Sequence, residues 1–264
     1  MNGTHHSYGW SHGQLAAEAY AINAHRVMAG DVITDQVFGY RGAALWFPNG
    51  DTQFLPALEV NGNGTVFAVN DAGRAVGSST ASSRWRHATL WVDGLASDLA
   101  PDSGSSTAAA INRHGDVVGT ADNAPVRFKS GKAIALGTLG GHSGGAYAIN
   151  EAGHIVGDST LAGETNTHAF LFKDGTMRDL GAPAHMGSSA WGINRHDTVV
   201  GDAVGKDGSL VALIWQDGVM QRLDDLIDPA TGAGWIFYSA DAINDAGQIC
   251  AFGNLGGALL TPMP

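Results

Sequence analysis

An apolar run ending in asparagine recurs six times along the chain, at Ile22-Asn23, Val69-Asn70, Ile111-Asn112, Ile149-Asn150, Ile193-Asn194 and Ile243-Asn244. Successive asparagines stand 47, 42, 38, 44 and 50 residues apart. A tight-turn sequence follows each one, as in Asn70-Asp71-Ala72-Gly73. A period of about 40–50 residues built from short strands is the signature of a blade-by-blade propeller. The expected fold is therefore all-β: a six-bladed β-propeller with four-stranded blades beginning near 19, 66, 108, 146, 190 and 240. The repeat runs from near residue 19 to near residue 260, so residues 1–264 are expected to form one domain. Residues shared by the copies are scaffold, and residues that break the pattern are candidates for function.

The copy from Ala146 is the clearest. Strand A is Ala146 to Asn150, and the turn Glu151-Ala152-Gly153 leads into strand B, His154 to Gly157. Strand C is His168 to Phe172, and Lys173-Asp174-Gly175 makes a hairpin suited by its Asp-Gly pair. Strand D is Met177 to Gly181. Strand C carries a recurring aromatic, Trp46, Trp91, Phe128, Phe172 and Trp215, placed to wedge between neighbouring sheets. The six asparagines are expected to satisfy backbone groups in the A–B turns, because Asn bonds its own local backbone.

These blocks resemble the HAF-repeat family through His168-Ala169-Phe170, the weaker copy His87-Ala88-Thr89, and the run Leu136-Gly137-Thr138-Leu139-Gly140-Gly141 leading to Ala146-Tyr147-Ala148-Ile149-Asn150. The resemblance covers most of the chain. It implies a bacterial β-propeller-like repeat, often in exported proteins, and brings no activity with it.

The last copy has strands A, B and C before Pro264. The segment 7–17 is expected to close the ring by supplying the missing outer strand, since closure removes exposed sheet edges. The start, Met1-Asn2-Gly3-Thr4-His5-His6, has neither a basic nor an apolar leader region. The expectation is a cytoplasmic protein, or an extracellular or periplasmic one if an export signal has been removed. Net charge is −11, which disfavours nucleic acid and anionic membrane as partners. The one cysteine, Cys250, sits in an apolar run and reads as a small buried hydrophobe.

In such a ring the A–B and C–D turns share one face, and these are short and repetitive. The B–C and D–A connections share the other, and they are long and varied, so a small-molecule ligand is expected there. Two residues before the Ile or Val that precedes each repeated asparagine stand Tyr20, Phe67, Ala109, Tyr147, Trp191 and Asp241. This aromatic collar is interrupted by one carboxylate. An acid beside aromatic walls suits proton transfer, or else Asp241 bonds a nearby loop. His142 and His185 fall in Gly-rich D–A connections and are the further acid/base candidates, or ordinary surface histidines. Arg84 and Arg86 could hold a carboxylate or phosphate. Trp85, Trp235 and Tyr238 add exposed aromatic surface.

No zinc-type spacing, nucleophile elbow, phosphate loop or dinucleotide fingerprint is present. Asp31, Asp158 and Asp202 follow the strand-B glycine in three blades, a recurrence around the ring too wide to share one ion, so neither metal nor cofactor is expected. Two readings follow. One is a small-molecule enzyme of lyase, isomerase or cyclase type, with Asp241, His142 and His185 catalytic. Its substrate would bind on Tyr20, Phe67, Tyr147, Trp191, Arg84, Arg86, Trp235 and Tyr238. The alternative is a noncatalytic propeller that binds glycans or a protein.

Overall fold

The computed structural model describes residues 16–33, 41–81 and 85–263. It is all-β. The first sheet holds β1 (Ala16–Ile22), β2 (Met28–Ile33), β3 (Arg41–Trp46) and β4 (Thr52–Leu55). The second holds β5 (Gly64–Val69), β6 (Ala75–Thr80), β7 (Arg86–Val92) and β8 (Leu95–Asp98). The third runs from β9 (Ser106–Ile111) through β10 (Val117–Ala121) and β11 (Ala124–Lys129) to β12 (Lys132–Ala135). The fourth holds β13 (Gly140–Ile149), β14 (Ile155–Leu161), β15 (Thr167–Lys173) and β16 (Thr176–Gly181). The fifth holds β17 (Met186–Ile193), β18 (Val199–Gly205), β19 (Leu210–Gln216) and β20 (Val219–Arg222). A short 3-10 helix, Leu223–Leu226, precedes the last sheet of β21 (Phe237–Ile243), β22 (Ile249–Gly253) and β23 (Gly256–Leu260).

Six antiparallel sheets in chain order, each strand paired with its sequence neighbour, make this a six-bladed β-propeller. The last blade has three strands among the described residues. Most of the expected closing segment lies outside the described residues, and its last two residues, Ala16 and Ala17, pair with Ile33 and Val32 as the start of β1.

The chain divides into two compact units, residues 1–115 with 129–132 and residues 116–128 with 133–264. In the first, β1, β5 and β9 lie side by side, and in the second β13, β17 and β21 do. The core of the first unit gathers Ala29, Leu45, Leu55, Val66 and Trp91. That of the second gathers Val156, Ala169, Val199, Leu213 and Trp215. The wedge reading holds for these aromatics: Trp91 and Trp215 are 1% and 3% exposed. Their indole N–H groups donate to Pro56 O at 2.7 Å and Leu180 O at 3.0 Å, so a ring is seated against the outer strand of the preceding sheet.

The asparagines do more than close their own turns. Asn70 Oδ1 accepts from the Ala72 and Arg74 amides at 3.1 and 3.0 Å. Its Nδ2 donates across to Asn112 O at 3.1 Å. Asn23 reaches Asn70 O in the same way, and in the second unit Asn150 reaches Asn194 O and Asn194 reaches Asn244 O. Asn244 turns its amide onto Gln248 Oε1 instead. The strand C–D hairpin at Asp174-Gly175 has φ of 51° and 77°, the left-handed pair its sequence calls for. Cys250 is exposed, against expectation, because β22 alternates: Ile249, Ala251 and Gly253 face the buried side, and Cys250 and Phe252 the other.

Candidate acid and base site

The first strands share an irregularity that positions the collar. In β13, Ala146 pairs with Gly157 and Ala148 with Val156, leaving Tyr147 as the extra residue of a β-bulge. Tyr20, Phe67, Trp191 and Asp241 occupy the same bulged place in β1, β5, β17 and β21. A bulge takes a side chain out of the in-out alternation of its strand and re-aims it. The facing glycine is the counterpart of that geometry. A Cβ on Gly157 would lie 1.9 Å from Gly145 O, and one on Gly201 would lie 2.0 Å from Ser189 O. Gly30 and Gly77 are equally closed by Glu18 O and Thr65 O at 1.9 Å. The residue after each glycine therefore stands beside a bulge, and in three sheets it is Asp31, Asp158 or Asp202.

In the second unit these positions converge. Tyr147 stacks on Trp191 with ring centroids 4.7 Å apart and planes at 29°. Tyr147 Oη donates to Asp158 Oδ1 at 3.2 Å, and Ser189 Oγ donates to Asp158 Oδ2 at 2.8 Å. Trp191 Nε1 donates to Asp202 Oδ2 at 3.0 Å. Burial raises the Asp158 carboxyl above its ordinary 3.8, against the opposing bonds from Ser189, Tyr147 and the Gly145 amide. Burial likewise raises Asp202, and the negative charges of Asp241 and Asp158 add to it while the Trp191 N–H opposes. Tyr147 is pushed well above the usual phenol range by burial and by Asp158. Asp241 is exposed and accepts from Ser239 Oγ at 2.7 Å. The result is a row of three carboxylates graded from buried to open, with an indole that is 37% exposed beside the middle one.

The first unit uses the same positions differently. Arg41 Nη1 meets Asp31 Oδ1 and Oδ2 at 3.0 and 3.1 Å and Glu18 Oε2 at 3.2 Å. Thr65 Oγ1 donates to Asp31 Oδ2 at 3.0 Å. Tyr20 Oη donates to Glu18, and burial followed by that bond pushes its phenol up to about 12. Tyr20 and Phe67 meet each other with centroids 5.7 Å apart. Here the carboxylates are neutralised by Arg41, an arrangement for holding strands rather than moving protons.

Several residues nominated by the sequence stand elsewhere. Arg86 spends its guanidinium on Ser78 Oγ and O at 3.0 and 2.9 Å and on Thr65 Oγ1 at 3.2 Å, which leaves it a strand clamp. Arg84 lies outside the described residues. His142 is not in a loop, because the glycine-rich run pairs as strand: Gly140 with Leu161, Gly144 with Ser159 and Gly145 with Asp158. His185 occupies a turn at φ 66°. Both histidines are exposed, and neither bonds Asp158, Asp202 or Asp241 among the described residues. Trp235 is half-buried and stacked on Phe237 at 5.1 Å and 6°, and Tyr238 is half-buried at a second irregularity of β21. Tyr147 and Trp191 are thus brought together with Asp158 and Asp202, neither of which the sequence reading put in the site, and Asp241 acts on Asp202 through its charge.

No group of His, Cys, Asp and Glu among the described residues is arranged to hold a metal ion. No helix among them is long and apolar enough to cross a membrane.

No protein-family profile and no curated protein matches the chain. Among solved structures it is similar to a gluconolactonase from Xanthomonas campestris, at 13% identity over 94% of this chain and 87% of that one, with a TM-score of 0.46. It is also similar to a second structure described as a candidate gluconolactonase, at 12% identity over 67% of each chain, with a TM-score of 0.41.

Proposed function

We propose that the chain is a small-molecule enzyme that carries out noncovalent acid/base chemistry at the Asp202–Asp241 pair. The observation that carries this reading is the Trp191 contact: its N–H holds Asp202 while its exposed ring offers a flat, apolar seat beside that carboxyl group, which also feels the charge of Asp241. Asp202, whose carboxyl is pushed up by burial and by its acidic neighbours and so holds its proton more firmly than a free aspartic acid, gives that proton to a substrate oxygen. Asp241, open to solvent, removes a proton from the adjacent carbon. The two transfers balance, so an isomerisation or an elimination of water needs no further reactant. Opposed environments on neighbouring carboxyl groups are the recurring way to assign acid and base. Asp158, Tyr147 and Ser189 hold the ring and the charge from behind.

The test is to incubate the chain with panels of hydroxy-carbonyl compounds, esters and lactones in deuterated water, and to follow product and deuterium by mass spectrometry. Turnover lost in both Asp202→Asn and Asp241→Asn supports the reading. Turnover unchanged in both would sink it.

A noncatalytic binding propeller is favoured by one observation, the 59% exposure of Trp85. Trp235, the other indole behind that alternative, is packed on Phe237. This reading expects glycan or partner binding that is weakened by Trp85→Ala and indifferent to Asp202→Asn.

A further inference from the structure

The aromatic wedge has a register. Trp46, Trp91, Phe172 and Trp215 each pair with the first residue of their strand-B neighbour, namely Met28, Ala75, Ile155 and Val199. In the last sheet that place opposite Ile249 belongs to Leu260. The copy that ought to insert a ring against the fifth sheet inserts an isobutyl group.

The consequence lies beside it. A cavity of about 620 Å³ opens between the fifth and last sheets. Leu260, Ile249 and Ile214 form its sheet walls, while Leu223, Ile227 and Trp235 close it from the 3-10 helix and the loop that follows. Leu223 comes just after β20, as Pro56 comes just after β4. Pro56 and Leu180 are where the indoles of Trp91 and Trp215 are anchored. The cavity therefore occupies, between the fifth and last sheets, the kind of seat that the Trp215 indole fills between the fourth and fifth. Its volume falls within the usual range of small-molecule sites, and its lining is apolar with a few polar groups, among them Gln216, Thr231 and Asp228. The Trp235 ring, lying flat on Phe237, adds a planar wall. The Asp228 carboxylate, held by the Ala230 amide at 2.9 Å, disfavours an anion.

We infer that this cavity is a second binding site, separate from the Asp202–Asp241 pair, for an uncharged planar aromatic molecule of indole to naphthalene size. Such a molecule takes the place of the missing wedge and bridges the fifth and last sheets, so its binding stabilises the fold.

The experiment is titration of the chain with N-phenyl-1-naphthylamine, a neutral aromatic probe whose emission rises in apolar surroundings. The wild-type chain is expected to bind at one saturable site and to melt at a higher temperature with the probe present. Leu260→Trp supplies the wedge from within, so probe affinity falls at least tenfold while the melting temperature of the free protein rises. Ala258→Phe fills the same cavity and gives the same loss of affinity. Absence of saturable binding by the wild type overturns the inference, as does undiminished affinity in either variant once circular dichroism shows it folded. Should neither variant fold, hydrogen exchange of the wild-type chain decides. Probe-dependent protection of residues 223–237 and 256–263 supports the site, and protection confined to other segments overturns it.

Discussion

Trp191 holds Asp202 through its indole N–H at 3.0 Å while its ring lies on Tyr147, so one side chain both steadies an acid and presents a surface to solvent. Replacing it with Phe keeps the stack and removes the N–H. That donor favours the ionised carboxylate, so its loss raises the Asp202 carboxyl further. The pH–rate profile of Trp191→Phe is expected to keep its shape, with the limb belonging to the acid moved to higher pH. An unmoved limb would separate Asp202 from the chemistry.

Asp202→Asn should trade activity for stability. The folded carboxyl titrates above the 3.8 of the unfolded chain because of burial and its acidic neighbours. Between those two values the folded state keeps a proton that the unfolded state has released. Stability from this group is therefore complete at the acid end and is lost as pH rises through that window. The neutral amide escapes the loss. The variant is expected to melt higher than wild type near neutral pH, with the advantage shrinking as pH falls toward about 4, while turnover drops about 10²–10⁴-fold. Thermal scans across pH and activity assays check both halves.

Gly201→Ala tests the bulge. Its Cβ would lie 2.0 Å from Ser189 O, a backbone atom that cannot step aside. The strand must give way, at a cost of at least about 1–3 kcal/mol, and the Trp191 bond to Asp202 should go with it. Urea denaturation reads the first effect, and the fluorescence of the Trp191 indole reads the second.

Asn70→Asp separates the two jobs of the repeated asparagine. The carboxylate still accepts the Ala72 and Arg74 amides but has no proton for Asn112 O. A loss of about 1–3 kcal/mol in denaturant titrations, with the turn itself intact by NMR, would assign that energy to the bond between blades.

His142→Ala and His185→Ala are expected to change turnover less than twofold, since no bond links either exposed imidazole to the three aspartates among the described residues. A large loss in either would place the histidine at the reacting atoms.

The Asn period made the architecture legible in the sequence, and comparing its copies made the collar legible too. Tyr147, Trp191 and Asp241 stood out because they share a place in the repeat. Asp158 and Asp202 were visible as a recurrence, but their meaning was not, because burial and mutual repulsion are properties of packing. The sequence also does not announce a β-bulge, since the extra residue is defined only by what the neighbouring strand does. The facing glycines of β14 and β18 were the available hint. His142 was misplaced for a related reason: glycine-rich sequence reads as loop, yet here it pairs alongside β14. The cavity beside Leu260 follows from the repeat as well, once the wedge is compared across strand pairs rather than along the chain.

In four of the blades, those of Asn23, Asn70, Asn150 and Asn194, the asparagine carboxamide supplies a head and a tail. Its oxygen is spent on its own turn and its nitrogen on the next one, from Asn23 to Asn70 to Asn112 and from Asn150 to Asn194 to Asn244. A gene segment encoding one such blade thus carries its own joint. Tandem duplication of that segment would yield copies that already dock in order, with no second round of changes needed to invent an interface. The chain could lengthen by copying alone, leaving single positions such as 241 and 260 free to depart from the repeat without undoing the joint.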